Sequence, residues 1–186
     1  IPSKALLDSS EHYHNAVHTF KEHGIDISAP KVNIKQMIER KSGVVKANVD
    51  GIAFLMKKNK IDVLMGTGKV KPGKKVDVTD ADGKTTEYSA SKGVIIATGA
   101  RSRQLPNLQQ DGKKVIGYRE AMTLEKQPKK LVVVGSGAIG VEFAYFYNSI
   151  GTEVTVVEYL PNIVPVEDLD VSKELAKNFK KAGIKI

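Results

Sequence analysis

A glycine-rich segment, Gly135-Ser-Gly-Ala-Ile-Gly140, is the pattern in this chain best suited to binding a phosphate group. It follows an aliphatic run at residues 131–134 and precedes an apolar stretch of helical period that reaches Ile150. The first glycine permits a tight turn, Gly137 lets the backbone approach a pyrophosphate, and the third glycine lets the helix pack closely on the strand. The free N–H groups and positive dipole end of the helix favour the phosphate charge. The segment predicts a dinucleotide-binding turn.

A carboxylate lies at the position where a dinucleotide-binding unit uses one to bind a ribose. Glu158 lies 18 residues after Gly140, at the end of a second strand predicted over residues 153–157. There it can accept hydrogen bonds from the hydroxyls of an adenosine ribose, and it would repel a 2′-phosphate. No Arg or Lys occurs between residues 159 and 172 to bind that phosphate, so the residues favour NAD over NADP. The alternative is a strand–helix–strand unit with a coincidental glycine pattern and a surface glutamate.

A second small-residue turn ends another aliphatic run, Val94-Ile-Ile-Ala-Thr-Gly-Ala100. Small residues at a strand end allow the backbone to lie against a ligand. By composition alone the turn is only the end of a strand. It gains weight as a ligand contact because it stands upstream of a dinucleotide loop.

The elements that must position these residues follow from periodicity and turn residues. Apolar spacing predicts one helix from Pro2 to His23, before Gly24, and a longer helix over residues 33–59. Asp82-Gly83 predicts a hairpin between antiparallel strands. Residues 101–117, rich in Gln, Pro and Gly, predict a crossing between domains. The predicted β-type runs are residues 61–65, 69–71, 75–79, 85–89 and 93–97.

The second half predicts a strand–helix–strand unit with parallel strands buried on both faces. An amphipathic helix is predicted over residues 171–181, and a third strand begins at residues 183–186. The sheet is therefore expected to be incomplete in this chain.

Composition excludes several classes of protein. The 186 residues are 41% hydrophobic and 27% charged, as in a globular protein, and no apolar run is long enough to span a membrane. The absence of Cys excludes a disulfide framework and a thiol nucleophile within the chain. The net charge of +8 comes almost entirely from scattered Lys, which indicates a solvated surface rather than a nucleic-acid site. His14 and His18 have a helical spacing that could bind a metal, but no third ligand is evident and no metal site is predicted.

Three motifs together resemble the dihydrolipoamide dehydrogenase family, the E3 flavoenzymes of 2-oxo-acid dehydrogenase complexes. They are the start Ile1-Pro-Ser-Lys-Ala-Leu-Leu7, the turn Ala97-Thr98-Gly99, and the stretch Gly135-Ser-Gly-Ala-Ile-Gly-Val-Glu-Phe-Ala144. The resemblance covers essentially the whole chain. It implies an α/β, Rossmann-like fold with FAD- and NAD(P)-binding halves, incomplete here, together with an antiparallel β-meander. It places residues 1–108 in the later part of the FAD domain and residues 109–186 in the first half of the NAD domain.

In that family the start motif directly follows the second Cys of a redox disulfide, which implies an internal fragment beginning one residue later. The same resemblance places the His–Glu acid–base pair in a C-terminal interface domain, so no catalytic residue is expected within the chain. The implied parent reaction passes electrons from a protein-bound dihydrolipoyl group through the disulfide and FAD to NAD⁺. The 186 residues alone are expected to be inactive and to retain cofactor weakly or not at all.

Carried over by position, the resemblance implies that Lys4 sits beside the flavin and pairs with Glu142. The alternative is an exposed lysine and a first-turn glutamate favoured by the helix dipole. Ala100 stands where Ser is common in the family. The implied FAD contacts are Lys4, Gly68, Thr98, Gly99 and Ala100, and the implied NAD contacts are Gly135, Ser136, Gly137, Ala138, Ile139, Gly140, Val141, Glu142 and Glu158.

The resemblance also implies a lipoyl domain as protein partner, a homodimeric parent and a cytoplasmic location, with no nucleic acid and no membrane. Two other classes remain open. One is a different flavin disulfide reductase of the glutathione or mercuric type, although such enzymes usually carry basic residues where this chain has Tyr159-Leu-Pro-Asn. The other is a non-catalytic nucleotide-binding module, which would bind NAD with no cysteine-bearing segment attached.

Overall fold

The computed structural model describes all 186 residues and contains two compact units. One unit comprises residues 1–47 and 104–186, and the other comprises residues 48–103. The predicted division at residue 108 concerns which cofactor each half binds and stays a prediction. No helix combines the length and the apolar character needed to cross a membrane.

The two long helices near the N-terminus lie close to their predicted positions. Helix α1 spans Pro2–His18 and is followed by a 3₁₀ turn, Phe20–His23. Proline suits the first helical turn, where its missing N–H is no loss, and Gly24 ends the 3₁₀ turn at a φ of +73°. Helix α2 spans Ile34–Lys58. Both helices predicted in the first half are therefore confirmed, and the first of them ends in a 3₁₀ turn.

Arg40 connects α1 to the part of α2 that lies in the first unit. Its guanidinium donates to the Ala5 carbonyl at 2.9 Å and to the Asp8 carboxylate at 2.7 Å. The Ala5 carbonyl lies in the part of α1 that follows Lys4. A cation on α2 thus supports the helix turn that carries Lys4.

The second unit holds a three-stranded antiparallel sheet in the order β1-β2-β3. Its strands are β1 Thr67–Lys71, β2 Lys75–Thr79 and β3 Thr85–Ser89. Gly83 has a φ of +81°, and the Asp80 carboxylate accepts a hydrogen bond from the Lys84 N–H at 2.9 Å. The predicted hairpin and β-meander are confirmed.

Two runs predicted as strands form none. Residues 61–65 and 93–97 have no strand assignment and join no sheet, and Ile95 and Ile96 are 91% and 70% exposed. The prediction of strands was wrong for these segments because aliphatic composition records a preference for burial, while a strand also needs a neighbour to complete its hydrogen bonds.

The first unit carries the strand–helix–strand motif. Strand β4, Lys130–Val134, pairs in parallel with β5, Glu153–Val157, and helix α4, Ala138–Ser149, joins them. A short helix α3, Tyr118–Ala121, precedes this motif and α5, Leu169–Lys181, follows it. Lys185 then forms a parallel bridge with Thr155, so the third strand begins where the sequence predicts it.

The core of this unit lies on one face of the parallel pair. Val154 and Val156 on β5 are 0% and 1% exposed, whereas Val132 and Val134 on β4 are 61% and 50% exposed. The prediction of burial on both faces was therefore wrong, because the helices pack against one face only. The buried apolar residues that form this core are Leu6, Phe143, Ala144, Phe146, Tyr147, Ile150, Val154, Val156, Ile163, Val164, Phe179 and Ile184.

Candidate functional site

The turn between β4 and α4 has the geometry that its glycines predict. Gly135 has a φ of +96°, in the region that side chains rarely adopt, and its N–H donates to the Val157 carbonyl at 2.8 Å. A Cβ built on Gly140 would lie 2.1 Å from the Gly135 carbonyl oxygen. The helix therefore approaches the strand end at a distance that only glycine allows.

The N-terminus of α4 is open to a ligand. Gly137 occupies the N-cap position, and no side chain caps the helix. A helix leaves the N–H groups of its first turn without intrahelical partners, so those of Ala138, Ile139 and Gly140 are available to an anion. A Cβ on Gly137 would meet no atom within 4 Å, which leaves free space beside the turn. This arrangement can hold a pyrophosphate.

Glu158 is fixed beside that turn. Its Oε2 accepts hydrogen bonds from the Ser136 N–H at 2.8 Å and from the Ser136 hydroxyl at 2.6 Å, while Oε1 accepts one from the Leu160 N–H at 3.0 Å. The hydrogen bonds from Leu160 and Ser136 lower the pKa of Glu158 to about 2. The carboxylate is therefore ionised at neutral pH and holds a defined orientation at the end of β5.

Ser136 faces the protein rather than the open space. It is fully buried, and its hydroxyl oxygen accepts a hydrogen bond from the Val164 N–H at 3.2 Å while donating to Glu158. The Val164 N–H also reaches the Ser136 carbonyl at 3.1 Å. Both donors of Ser136 are thus directed at Glu158, and the glycine turn is joined to the segment that follows β5.

Val164 has a φ of +43°, which is unusual for a β-branched residue. Its side chain belongs to the buried core, and its carbonyl accepts a hydrogen bond from the Ser172 hydroxyl at 3.3 Å. These contacts hold the strained conformation in place. The sequence gives no sign of it, because valine is among the residues least suited to positive φ.

Lys4 and Glu142 form an ion pair, as the resemblance implies. The lysine side chain is 68% exposed and the glutamate side chain 30%. Burial raises the pKa of Glu142, but hydrogen bonds from Lys4 and Ser3 outweigh that effect and hold its pKa below the ordinary value. The pair joins the first turn of α1 to α4, so Lys4, the glycine turn and Glu158 all lie in one compact unit.

The other residues assigned to a flavin lie in the second unit. Gly68 pairs with Val78 in the antiparallel sheet, and Thr98, Gly99 and Ala100 form an exposed segment in which Gly99 has a φ of +76°. Gly66 is the more constrained glycine in this unit, because a Cβ there would lie 2.3 Å from the Thr79 carbonyl oxygen. The assignment of these residues to a flavin stays a prediction.

Comparison with protein families agrees with the geometry of the turn. The model of the family described as pyridine nucleotide-disulphide oxidoreductase matches residues 1–186. A dihydrolipoyl dehydrogenase of Zymomonas mobilis is 43% identical over the whole chain, and a leghemoglobin reductase of Vigna unguiculata is 42% identical. The chain covers 40% and 35% of these relatives, so it spans about two fifths of their length.

The fold is also that of a solved structure. LpdA from Mycobacterium tuberculosis superposes with a TM-score of 0.87 at 29% identity, over 100% of this chain and 40% of that one. Together with the antiparallel meander and the parallel pair, this likeness confirms the predicted two-dinucleotide-binding α/β fold, of which the chain contains a part. By its sequence and its fold, the chain belongs to the pyridine nucleotide-disulphide oxidoreductase family of oxidoreductases.

Proposed function

We propose that this chain supplies the NAD-binding turn and part of the flavin site of a dihydrolipoyl dehydrogenase, which oxidises protein-bound dihydrolipoamide with NAD⁺ as hydride acceptor. The observation that carries the proposal is the ionised Glu158 carboxylate, fixed beside the uncapped N-terminus of α4. One end of this arrangement suits a pyrophosphate, and the other suits a ribose. Curated relatives that are at least 40% identical to the chain include dihydrolipoyl dehydrogenases.

The charges favour NAD over NADP. The fixed negative charge of Glu158 would repel a 2′-phosphate, and the segment after it contains no Lys or Arg before Lys173. Glu142 lies four residues after Ala138, the first residue of α4, and would line the nicotinamide end of the site. The proposed NAD contacts are Gly135, Gly137, Ala138, Ile139, Gly140, Val141, Glu142 and Glu158. The sequence also predicts Ser136 as a contact, but Ser136 is fully buried and contacts Glu158 instead.

A flavin fits the charge and backbone of the other assigned residues. The exposed ammonium of Lys4 is oriented by Glu142, and the positive φ of Gly99 gives a turn whose backbone can approach a ligand. Bound FAD would supply two-electron transfer between a dithiol and the nicotinamide, and Lys4 would place a positive charge beside its ring. The proposed FAD contacts are Lys4, Gly68, Thr98, Gly99 and Ala100.

The proposed reaction also needs redox cysteines, which this chain lacks. The chain has no Cys, so exchange with a dithiol requires cysteines elsewhere in the protein. We therefore expect the 186 residues alone to form no NADH from dihydrolipoamide. For the whole protein we propose a lipoyl domain as partner, a homodimeric state and a cytoplasmic location.

The test uses the full-length gene product that contains this chain. We expect it to form NADH from dihydrolipoamide and NAD⁺, and to bind NADH at least tenfold more tightly than NADPH, because each tenfold preference needs only about 1.4 kcal/mol. Binding is measured by titration calorimetry, and turnover by the absorbance of NADH. A preference for NADPH together with reduction of glutathione disulfide or Hg²⁺ would instead assign the protein to another flavin disulfide reductase.

Nicotinamide binding without any dithiol oxidation, in a gene product that lacks a Cys pair, would assign the chain to a non-catalytic nucleotide-binding module. Loss of both binding and turnover would contradict the proposal altogether.

A further inference from the structure

Ser136 occupies the variable position between the first two glycines of the turn, where the pattern asks for no particular side chain. Its side chain has no exposed surface, so it cannot reach a ligand in the open space beside the turn. A hydroxyl that is wholly buried in a ligand-binding turn can influence a bound ligand only through the protein groups that it contacts. Here those contacts are Glu158 and Val164.

The direction of its hydrogen bonds follows from the donor and acceptor types. The Val164 backbone contributes an N–H, so the Ser136 hydroxyl oxygen is the acceptor at 3.2 Å. Its single proton is then free to point at the Glu158 Oε2, 2.6 Å away. An ionised carboxylate only accepts, so Oε2 receives both the hydroxyl and the backbone N–H of Ser136.

The same contacts hold the segment that follows β5. Val164 bonds to Ser136 through its N–H and to the Ser172 hydroxyl through its carbonyl, at a φ of +43°. This segment is also where a basic residue would stand if the protein bound a 2′-phosphate. One buried hydroxyl therefore joins the glycine turn, the ribose-binding carboxylate and the segment beside it.

We propose that Ser136 is a positioning residue for nucleotide selection, which holds the Glu158 carboxylate in the orientation that accepts a ribose diol and repels a 2′-phosphate. The inference rests on the proposed binding of NAD. Without the hydroxyl, Glu158 keeps the backbone donors of Ser136 and Leu160 but loses its shortest hydrogen bond. The carboxylate then gains freedom to turn toward solvent, and its ribose contact weakens.

The test compares dissociation constants for NADH and NADPH in the full-length gene product. We expect Ser136→Ala to weaken NADH binding about tenfold, as for the loss of one hydrogen bond to a charged group, with a smaller change for NADPH. The ratio of the dissociation constant for NADPH to that for NADH therefore falls. The matched control is Ser172→Ala, which removes another buried hydroxyl of the same network without touching Glu158; it leaves the ratio unchanged.

A double-mutant cycle separates positioning from packing. In a Glu158→Ala background, Ser136→Ala should no longer change NADH binding, because the group that it orients is gone. An unchanged ratio in Ser136→Ala, or an equal effect of that substitution in both backgrounds, overturns the inference while leaving NAD binding intact. Failure of the unsubstituted protein to bind NADH overturns the proposed function, and the inference with it. If Ser136→Ala does not fold, Ser136→Thr, which keeps the hydroxyl, replaces it in the test. Ser136→Thr should have the same ratio of dissociation constants as the unsubstituted protein, and a lower ratio would contradict the inference.

Discussion

Lys4 and Glu142, 138 residues apart in the sequence, form an ion pair between the first turn of α1 and helix α4. The pair connects the residue proposed to sit beside a flavin with the helix proposed to bind a nicotinamide dinucleotide. Arg40 supports the same turn of α1 through the carbonyl of Ala5. The N-terminal helix is thus held against the nucleotide-binding motif by charges as well as by its apolar face.

Removing the charge of Lys4 should affect a flavin more than the fold. Because the lysine is largely exposed, Lys4→Met should lower stability by less than about 1 kcal/mol. We expect the flavin potential of the full-length gene product to become more negative, since a cation beside the ring favours its reduced, anionic form. Reductive titration against a reference dye measures the shift. Lys177→Met, which removes a similarly exposed pair with Glu174, is the control and should leave the potential unchanged.

Two glycines of the turn should separate binding from folding. Gly137→Ala adds a methyl group at a φ of −65°, where a Cβ meets no neighbour, so the thermal midpoint should not fall. The same methyl group would occupy the path of a pyrophosphate and should weaken NADH binding by at least about tenfold. Calorimetry and thermal unfolding measure the two effects. Unchanged NADH affinity in this variant would contradict the assignment of the turn.

Gly140→Ala should instead damage the fold. Its Cβ would lie 2.1 Å from a backbone oxygen of Gly135, so helix or strand must shift. We expect a loss of about 1–3 kcal/mol, typical of overpacking, and a lower thermal midpoint together with weaker NADH binding. A variant with an unaltered midpoint would show that the helix can move away from the strand without cost.

The hydroxyl of Tyr147 should contribute measurably to stability. It donates to the Ala121 carbonyl at 2.6 Å, and its burial raises its pKa to about 12. Tyr147→Phe leaves that carbonyl without its donor and should cost about 1–2 kcal/mol, seen as a lower thermal midpoint. Tyr145→Phe on the same helix is the control, because Tyr145 donates no hydrogen bond within the chain; equal effects of the two substitutions would argue against this role for Tyr147.

Acid should weaken the site through Glu158. Its pKa is lowered to about 2 from an ordinary 4.5, so its contribution to stability is fully present above about pH 4.5 and is lost as the pH falls toward 2. Glu158→Gln lacks this titration. We therefore expect the difference in thermal midpoint between the two proteins to shrink from pH 5 to pH 3, whereas a constant difference would mean that the carboxylate is not stabilised by its donors.

The parts of the fold that follow from local rules could be predicted from the sequence. Glycine spacing and the flanking apolar runs located β4, α4 and β5 within a residue or so, and Asp82-Gly83 located the hairpin. The runs at residues 61–65 and 93–97 have equally suitable composition, but a strand also needs a partner strand, and these runs pair with none. No local pattern reports such partners.

The site was predictable to the same extent. The residue types of the turn and the distance to Glu158 indicate a dinucleotide, because those features lie on consecutive elements. The contact between Ser136 and Glu158 and the positive φ of Val164 were not foreseen. They depend on how the segment after β5 folds back on the turn, and valine gives no local preference for that conformation.

The hydrogen bonds that Val164 and Gly135 donate across the turn have a consequence for local opening. The Gly135 N–H bonds to Val157 on β5, and the Val164 N–H bonds to Ser136, so the turn and the segment after β5 are closed only while β4 and β5 are paired. These amides should therefore exchange with solvent deuterium as one cooperative unit with the parallel strands rather than as a mobile loop. The nucleotide-binding turn would then be as slow to open as the sheet that carries it.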